Sequence, residues 1–204
     1  MYISVRTDYP ALPVTMHFTL RLLVELSAPF PSFGGCKVRF SPAVERLRIS
    51  QLTGYERAPD RYWLLTPRAD DDCCRLILEL RVAPQFGRRE LLLGTVEVVP
   101  ERQDDAGEPE VVPVTIRLVS PREFSAVPQD QEVAAAALLQ VITVLRAQAD
   151  HLLRCNLRNR AAIWLQQRVA ALEGVGVVDS RVVSAIEELR TLSLECRAEP
   201  HPRG

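Results

Sequence analysis

Apolar and polar residues alternate along the first two-thirds of the chain, which predicts β-strands there. In VTMHFTLRLLVELSA, every second residue from Met16 to Leu26 is apolar. In CCRLILELRVAP, Leu76, Leu78 and Leu80 share one face of a second strong strand. Weaker segments of the same kind are MYISVRT, CKVRF, the end of VERLRIS, YWLL, ELLLGTVEVVP and VVPVTIRLVS.

Turns that contain proline or glycine separate these segments, for example at DYPALP and QFGRR. About eight strands at this spacing are typical of an antiparallel β-sandwich of immunoglobulin-like character, which we predict over residues 1–120. Within VERLRIS, Leu47 and Ile49 alternate with Arg46 and Arg48, so the two arginines are expected on one face of their strand.

The period of the pattern changes from two to 3.6 residues near residue 130. PREFSAVPQD, residues 121–130, contains two prolines and is predicted to be a linker. Residues 131–196 then predict a helical segment of three helices, and residues 197–204 are expected to be a disordered tail. Strands followed by helices give an α+β order.

Capping residues delimit the three predicted helices. Asp130 is the expected N-cap of the first helix, which is expected to end near Cys155 or Asn156. Gly174 is the expected C-cap of the second, and Asp179 or Ser180 caps the third. The residues predicted to face inward are Val133, Ala137, Val141, Val144, Leu145, Gln148 and Leu152 in the first helix, Ala162, Leu165, Val169 and Leu172 in the second, and Val183, Ile186 and Leu189 in the third.

The composition is that of a folded globular protein, because 47% of the 204 residues are hydrophobic and 25% are charged. The net charge of -1 argues against a nucleic-acid partner and against a polybasic membrane surface. No apolar run approaches the roughly 20 residues of a membrane-spanning helix, so no membrane partner is expected. The N-terminus lacks the pattern of a signal peptide, and we expect a cytoplasmic location.

Arginine accounts for almost all of the basic residues, since Lys37 is the only lysine among the 25 Lys+Arg. A GC-rich bacterial genome explains this bias, and the scattered positions of the arginines favour that explanation. The alternative is an arginine-lined phosphate or carboxylate site. The five cysteines have irregular spacings without a C-x-x-C motif and are expected to be reduced thiols.

The order of the segments is similar to that of a known family. LRLLVELSAP, residues 20–29, precedes RLILELRVAP, residues 75–84, and ELLLGTVEVV; the helical segments QEVAAAALLQVITVLRAQAD, NRAAIWLQQRVAALEG and SAIEELRTL follow. In these respects the chain resembles bacterial stand-alone proteins with a von Willebrand factor type A (VWA) domain. In that family the first of these strands leads into the VWA domain, later strands complete a sandwich, and a helical tail follows.

The VWA domain itself has no counterpart in this sequence. Its metal-ion-dependent adhesion site needs Asp-x-Ser-x-Ser with a distant Thr and Asp, whereas DSRVVS at residues 179–184 has the wrong spacing. We hypothesise that the domain is missing at residues 30–36, within SAPFPSFGGCKVRF, where the chain has its only Gly-Gly pair. The alternative is an ordinary hairpin loop.

The residues that could support chemistry form no recognised motif. His151 and Cys155 have the spacing of two metal ligands on a helix, which is only half a site. Asp70, Asp71 and Asp72 lack the glycine and the distal glutamate of a calcium loop. The remaining histidines, His17 and His201, are expected in a strand and in the tail, and Tyr62, Trp63 and Trp164 are interpreted as packing groups; GVGVVD is interpreted as an interhelix turn.

We therefore predict no catalytic, cofactor-binding or metal-binding residue and no cofactor. The expected function is that of a non-enzymatic scaffold for protein–protein interactions, which positions a partner or the missing VWA domain. The resemblance implies a regulatory ATPase, or another component of the same system, as the partner; self-association through the helices is compatible with this role. The alternative is a ligand-binding or enzymatic β-domain with a site built from scattered loop residues, which a cavity of convergent His, Asp or Arg would favour.

Overall fold

The computed structural model describes an α+β protein. Its described residues form nine strands in two mostly antiparallel sheets, together with four helices. The chain divides into two compact units, Met1–Val133 and Ala134–Gly204. The described residues are 2–27, 35–66, 73–100, 108–176 and 178–197.

Two sheets form the first unit. Their strands are β1 (Tyr2–Thr7), β2 (Ala11–Pro13), β3 (Phe18–Ser27), β4 (Cys36–Pro42), β5 (Arg48–Gln51), β6 (Trp63–Leu65), β7 (Cys73–Val82), β8 (Glu90–Pro100) and β9 (Glu110–Val119). One sheet has the order β1-β3-β7-β5, and the other has the order β2-β9-β8-β4-β6. Neighbouring strands are antiparallel except β2 and β9, which are parallel.

The turn expected at DYPALP contains the short strand β2. Leu12 of this strand lies opposite Leu118 of β9, and Ala11 and Leu12 are buried. Three residues are too few to produce an alternation signal, and the pairing partner lies more than 100 residues away in the sequence. This strand therefore depends on a long-range contact that local periodicity does not report.

Alternate residues of β3 and β7 form the centre of the core of the first unit. The even-numbered residues from Leu20 to Leu26 are fully buried and lie opposite the even-numbered residues from Cys74 to Leu80. Full burial of each leucine contributes about 1.5–3 kcal/mol. Side chains of β4, β8 and β9 join the same core, so the two sheets share it. Met16, predicted on this face, is 54% exposed because the strand begins only at Phe18.

The connection from β3 to β4 passes from one sheet to the other. β3 pairs with β1 and β7, whereas β4 pairs with β6 and β8. The hairpin alternative for this connection is therefore wrong, because the two strands of a hairpin would pair with each other. Most of the predicted split at residues 30–36 lies outside the described residues.

Residues 121–130, predicted to be a linker, contain the short helix α1 (Pro121–Phe124), and Ser120 closes its N-terminus in a capping box. The ring of Phe124 packs against Tyr9 and Phe18, with centroid distances of 5.2 Å and 5.0 Å. This segment is therefore held on the first unit by aromatic contacts.

Asp8 also connects this segment to the sheet. Its carboxylate is almost completely buried, accepts a hydrogen bond from the backbone N–H of Arg21 at 2.8 Å and lies 3.6 Å from the Arg21 guanidinium. The backbone carbonyl of Asp8 accepts a hydrogen bond from the N–H of Asp130 at 2.8 Å. Burial raises the pKa of Asp8 although both contacts with Arg21 oppose the shift.

Three long helices follow, and two of them begin at the predicted caps. They are α2 (Gln131–Arg154), α3 (Arg158–Glu173) and α4 (Ser180–Arg197). Asp130 accepts hydrogen bonds from the first N–H groups of α2 at 3.0 Å and 3.1 Å. Asp179 accepts one from the N–H of Arg181 at 2.8 Å. The hydrogen bond from the side chain of Arg181 is the largest cause that lowers the pKa of Asp179 to about 2, and the backbone N–H of Arg181 adds to it.

The face predicted for α3 is buried, whereas the faces predicted for α2 and α4 are buried only in part. Val133, Ala137 and Leu145 of α2 and Leu189 of α4 are buried as predicted. Val144 and Gln148 of α2 and Val183 of α4 are exposed. Adjacent apolar residues fit the helical period equally well, and packing within the second unit selects between them. The buried residues are Val133, Ala134, Ala135, Ala137, Leu138, Ile142, Leu145 and Ala149 in α2, Ala161, Ala162, Leu165, Val169 and Leu172 in α3, and Val182, Leu189, Ser193 and Cys196 in α4.

α2 is more apolar than the sequence pattern indicated. By length and composition alone it passes the test for a membrane-spanning helix, which no other helix of the described residues does. Nearly half of its most apolar window is buried inside the protein, and the core helix of a soluble protein passes the same test.

Gly94 provides a test of the packing between β4 and β8. It follows a register shift after Leu92, and a Cβ there would lie 2.4 Å from the Ser41 carbonyl oxygen and 2.7 Å from Phe40. We expect Gly94→Ala to lower the free energy of unfolding by about 1–3 kcal/mol in urea titrations followed by circular dichroism. Gly54→Ala, with no atom within 4 Å of the added methyl, should change it by less than about 0.5 kcal/mol. Equal effects at the two glycines would contradict this packing.

Candidate functional site

His151 and Cys155, the two candidate metal ligands within the described residues, lie close together but gain no third ligand there. The thiol of Cys155 and Nε2 of His151 are 3.9 Å apart on an exposed surface. Within the described part of the chain, no group of three or more His, Cys, Asp or Glu side chains could hold a metal ion. Asp70, Asp71, Asp72 and His201 lie outside the described residues.

Tyr62 belongs to a polar network on the five-stranded sheet. Its hydroxyl donates a hydrogen bond to Glu97 at 2.8 Å, and the guanidinium of Arg39 lies 4.7 Å from the centre of its ring. Arg39 also pairs with Glu97. The Tyr62 hydrogen bond is the main cause that lowers the pKa of Glu97, and the same bond raises the pKa of Tyr62. The three groups satisfy one another, as in a structural network.

Trp63 is a core residue, as expected. It is 3% exposed, and its indole N–H donates a hydrogen bond to the side chain of Gln51 at 2.8 Å. Gln51 in turn donates to the backbone carbonyl of Tyr55 at 2.8 Å. These bonds fix the segment between β5 and β6 against the core.

A groove on the four-stranded sheet brings together arginines that are separated in the sequence. Arg46, Arg48 and Arg81 line it together with His17 and Thr19, and we call it the arginine groove. Its volume is about 420 Å³, within the range of about 300–1,000 Å³ that is common for small-molecule sites. Its remaining lining residues are Phe18, Val82 and Ala83.

Strand register places these residues side by side. Arg81 of β7 lies opposite Thr19 of β3 on one side and opposite Arg48 of β5 on the other. Like charges that face each other directly across neighbouring strands are destabilising. The pairing of Arg48 with Arg81 is therefore unfavourable unless an anion lies nearby.

The charges of the arginine groove are only partly compensated. Glu79 accepts hydrogen bonds from Arg81 at 3.2 Å. Arg46 and Arg48 make no ion pair with any described residue, and no described carboxylate lines the groove. Arg46 also has a φ of 64°, a left-handed conformation that is uncommon for a residue other than glycine. Such conformations are found more often at functional sites than elsewhere.

A second groove lies in the helical unit, between α2 and α3. Val144, Leu152 and Trp164 give it an apolar lining, and His151 and Arg160 lie at the same groove. Its volume is about 510 Å³, within the range of about 300–1,000 Å³ common for ligand sites. The guanidinium of Arg168 lies 5.8 Å from the centre of the Trp164 ring. We call this surface the α2–α3 groove.

Some of these groups were recognisable in the sequence, but not as one site. Arg46 and Arg48 were expected on one face of their strand, and no role was expected for Arg81. His17 was placed in an apolar strand, but it lies immediately before the first residue of β3. Only the pairing of β5 with β7 unites the arginines, and the sequence carried no signal for that pairing.

Comparisons of the chain with protein-family models, curated protein sequences and solved structures found no match. The function must therefore be argued from the two grooves. The arginine groove can bind an anion through charge-assisted hydrogen bonds. The α2–α3 groove can hold apolar side chains of a partner and meet acidic residues at its basic edge.

Proposed function

We propose that this chain is a non-enzymatic interaction scaffold whose helical unit binds a protein partner. The α2–α3 groove carries the proposal, because it combines an apolar lining with Arg160 and contains no described carboxylate. The partner is an amphipathic helix with apolar anchors and acidic flanking residues. A regulatory ATPase, or another component of the same cytoplasmic bacterial system, would present it.

The groove has the features of a helix-binding surface. Val144 is 42% exposed although it is large and apolar, and Trp164 is half-buried, so both can lose further surface on binding. Exposed tryptophan and arginine side chains are enriched among the residues that dominate binding free energy. An amphipathic helix places apolar residues at i, i+3 or i+4, and i+7 into such a groove.

Electrostatics favours an acidic partner. Arg160 lies at the groove and makes no ion pair with any described residue. Arg168 stacks on Trp164, and His151 lies on the opposite helix. Carboxylates of the partner would pair with these groups at the rim, which raises the association rate and makes binding dependent on salt.

Edge strands provide less surface for a partner. Three of the four edge strands are short: β2 and β6 have three residues each, and β5 has four. Only β1 is longer, with six residues. Short edges resist the addition of a partner strand. The helical unit is therefore the better-supported interaction surface.

We further propose that the first unit is an immunoglobulin-like sandwich. The order β1-β3-β7-β5 matches the A-B-E-D sheet of that fold, and β9-β8-β4 matches G-F-C. The unit departs from antibody domains because its buried Trp63 lies on β6, not on the strand that corresponds to C. In this proposal, α2, α3 and α4 form a separate C-terminal helical domain that follows the sandwich.

The position between β3 and β4 is where we propose that a related protein carries a VWA domain. Support comes from the change of sheet at this connection, which lets the chain leave one sheet and enter the other at one end of the core. An inserted domain there would leave the strand pairing unchanged.

A ligand-binding role for the first unit is the second candidate. The arginine groove favours it, because His and Arg side chains from separate parts of the chain converge there. The two candidates concern different units and are compatible.

A labelled amphipathic peptide with leucine anchors and glutamate flanks tests the scaffold proposal by fluorescence anisotropy. We expect it to bind more tightly than the same peptide with lysine flanks. Trp164→Ala should weaken binding at least tenfold, because loss of an anchoring tryptophan costs about 2 kcal/mol or more. Arg160→Glu should remove the preference for glutamate flanks.

Ile163→Ala is the matched control, because this neighbouring side chain on α3 is 56% exposed and does not line the groove. The Ile163→Ala variant should bind the glutamate-flanked peptide with the same affinity as the wild type. Equal affinity for both peptides, or an effect of Ile163→Ala as large as that of Trp164→Ala, would refute the proposed surface. Light scattering of the same samples reveals whether a second copy of the chain occupies the groove instead.

Insertion of a compact domain with adjacent termini between Ser27 and Gly35 tests the proposed VWA position. In a Trp164→Phe background, Trp63 fluorescence reports unfolding of the first unit alone. We expect the melting temperature to fall by less than about 10 °C, because longer loops cost little closure entropy. The same insertion after Gly54 should lower it more, since it disrupts the Gln51 hydrogen bonds. Loss of folding only in the first variant would exclude the position.

A further inference from the structure

We infer that the arginine groove binds a small phosphate monoester with an apolar body. This inference rests on the ligand-binding candidate for the first unit and is independent of the α2–α3 groove. It names the chemical class of the ligand, which the presence of arginines alone leaves open.

Charge favours a dianion. Arg46 and Arg48 have no ion pair among the described residues, and Arg81 shares its charge with Glu79. The groove therefore has about two uncompensated positive charges, and a phosphate monoester carries about −1.5 to −2 at neutral pH. Binding of such a dianion would relieve the repulsion between Arg48 and Arg81.

The number of donors favours phosphate over carboxylate. One guanidinium can satisfy both oxygens of a carboxylate through two parallel hydrogen bonds. This groove offers three guanidinium groups, from β5, β7 and the turn before β5, and the Thr19 hydroxyl lies beside Arg81. The three terminal oxygens of a phosphate monoester can use more of these donors than a carboxylate can.

The rest of the groove suits an apolar body. Phe18 and Ala83 are partly exposed and line it next to the arginines, whereas Val82 is 2% exposed and offers little surface. Phe18 is held in place by the rings of Tyr9 and Phe124, at centroid distances of 5.5 Å and 5.0 Å. An aromatic or aliphatic group attached to the phosphate can therefore pack on a wall that is already ordered.

Isothermal titration of the full chain at fixed ionic strength tests the inference with three probes: phenyl phosphate, inorganic phosphate and benzoate. We expect phenyl phosphate to bind at least threefold more tightly than inorganic phosphate and at least tenfold more tightly than benzoate. Tight binding of benzoate with weak binding of both phosphates would overturn the phosphate class but leave the ligand-binding candidate intact. A modest specific site has a dissociation constant of about 20 µM, and 10 mM of a probe exceeds this about 500-fold. The absence of heat with any of the three probes up to 10 mM would therefore overturn both the phosphate class and the ligand-binding candidate.

Variants locate the site. Arg48→Gln and Arg81→Gln should each weaken binding of phenyl phosphate at least tenfold. Arg46→Gly removes a guanidinium and also relieves backbone strain, because glycine adopts the left-handed conformation readily. This variant should therefore be as stable as the wild type but bind phenyl phosphate more weakly. Arg117→Gln makes the same charge change on an exposed residue of the other sheet and should leave affinity within twofold. Equal losses in all four variants would show a general charge effect and overturn the site.

Discussion

The antiparallel register between β3 and β7 is the constraint on which the rest of the first unit depends. Leucines at alternate positions fix it, because a shift by one residue would move every one of them from the core to the outer face. The strands are central in their sheet, with β1 beside β3 and β5 beside β7. Once the core faces are set, the outer faces are set as well, and Thr19 must lie opposite Arg81.

The arginine groove is therefore a consequence of how the core packs. β5 adds Arg48 beside Arg81, and the residues before β5 bring Arg46 to the same place in a left-handed conformation. Each feature is unfavourable by itself, since like charges repel and the backbone is strained. The free energy from the buried leucines offsets the cost of these two unfavourable features. The helical unit has its own core, so its groove can serve another partner.

Much of the fold could be predicted from local pattern, and the failures share one cause. Alternation located β3 and β7 and their buried faces, and polar caps located the starts of α2 and α4. β2 was missed because only its pairing with β9 makes it a strand. Val144 and Val183 were placed inside because their helical period fits, but contacts with other helices decide which residues are buried. Likewise, the arginines were seen as scattered because strand pairing is a long-range property.

We propose that the β3–β7–β5 register builds one specific anion site. Nuclear magnetic resonance of the ¹⁵N-labelled chain during a titration with phenyl phosphate tests it most directly. We expect the Nε–Hε signals of Arg46, Arg48 and Arg81 and the amide signals of residues 17–19 and 81–83 to shift together with one dissociation constant. Shifts spread over arginines of both sheets, with different apparent constants, would contradict it.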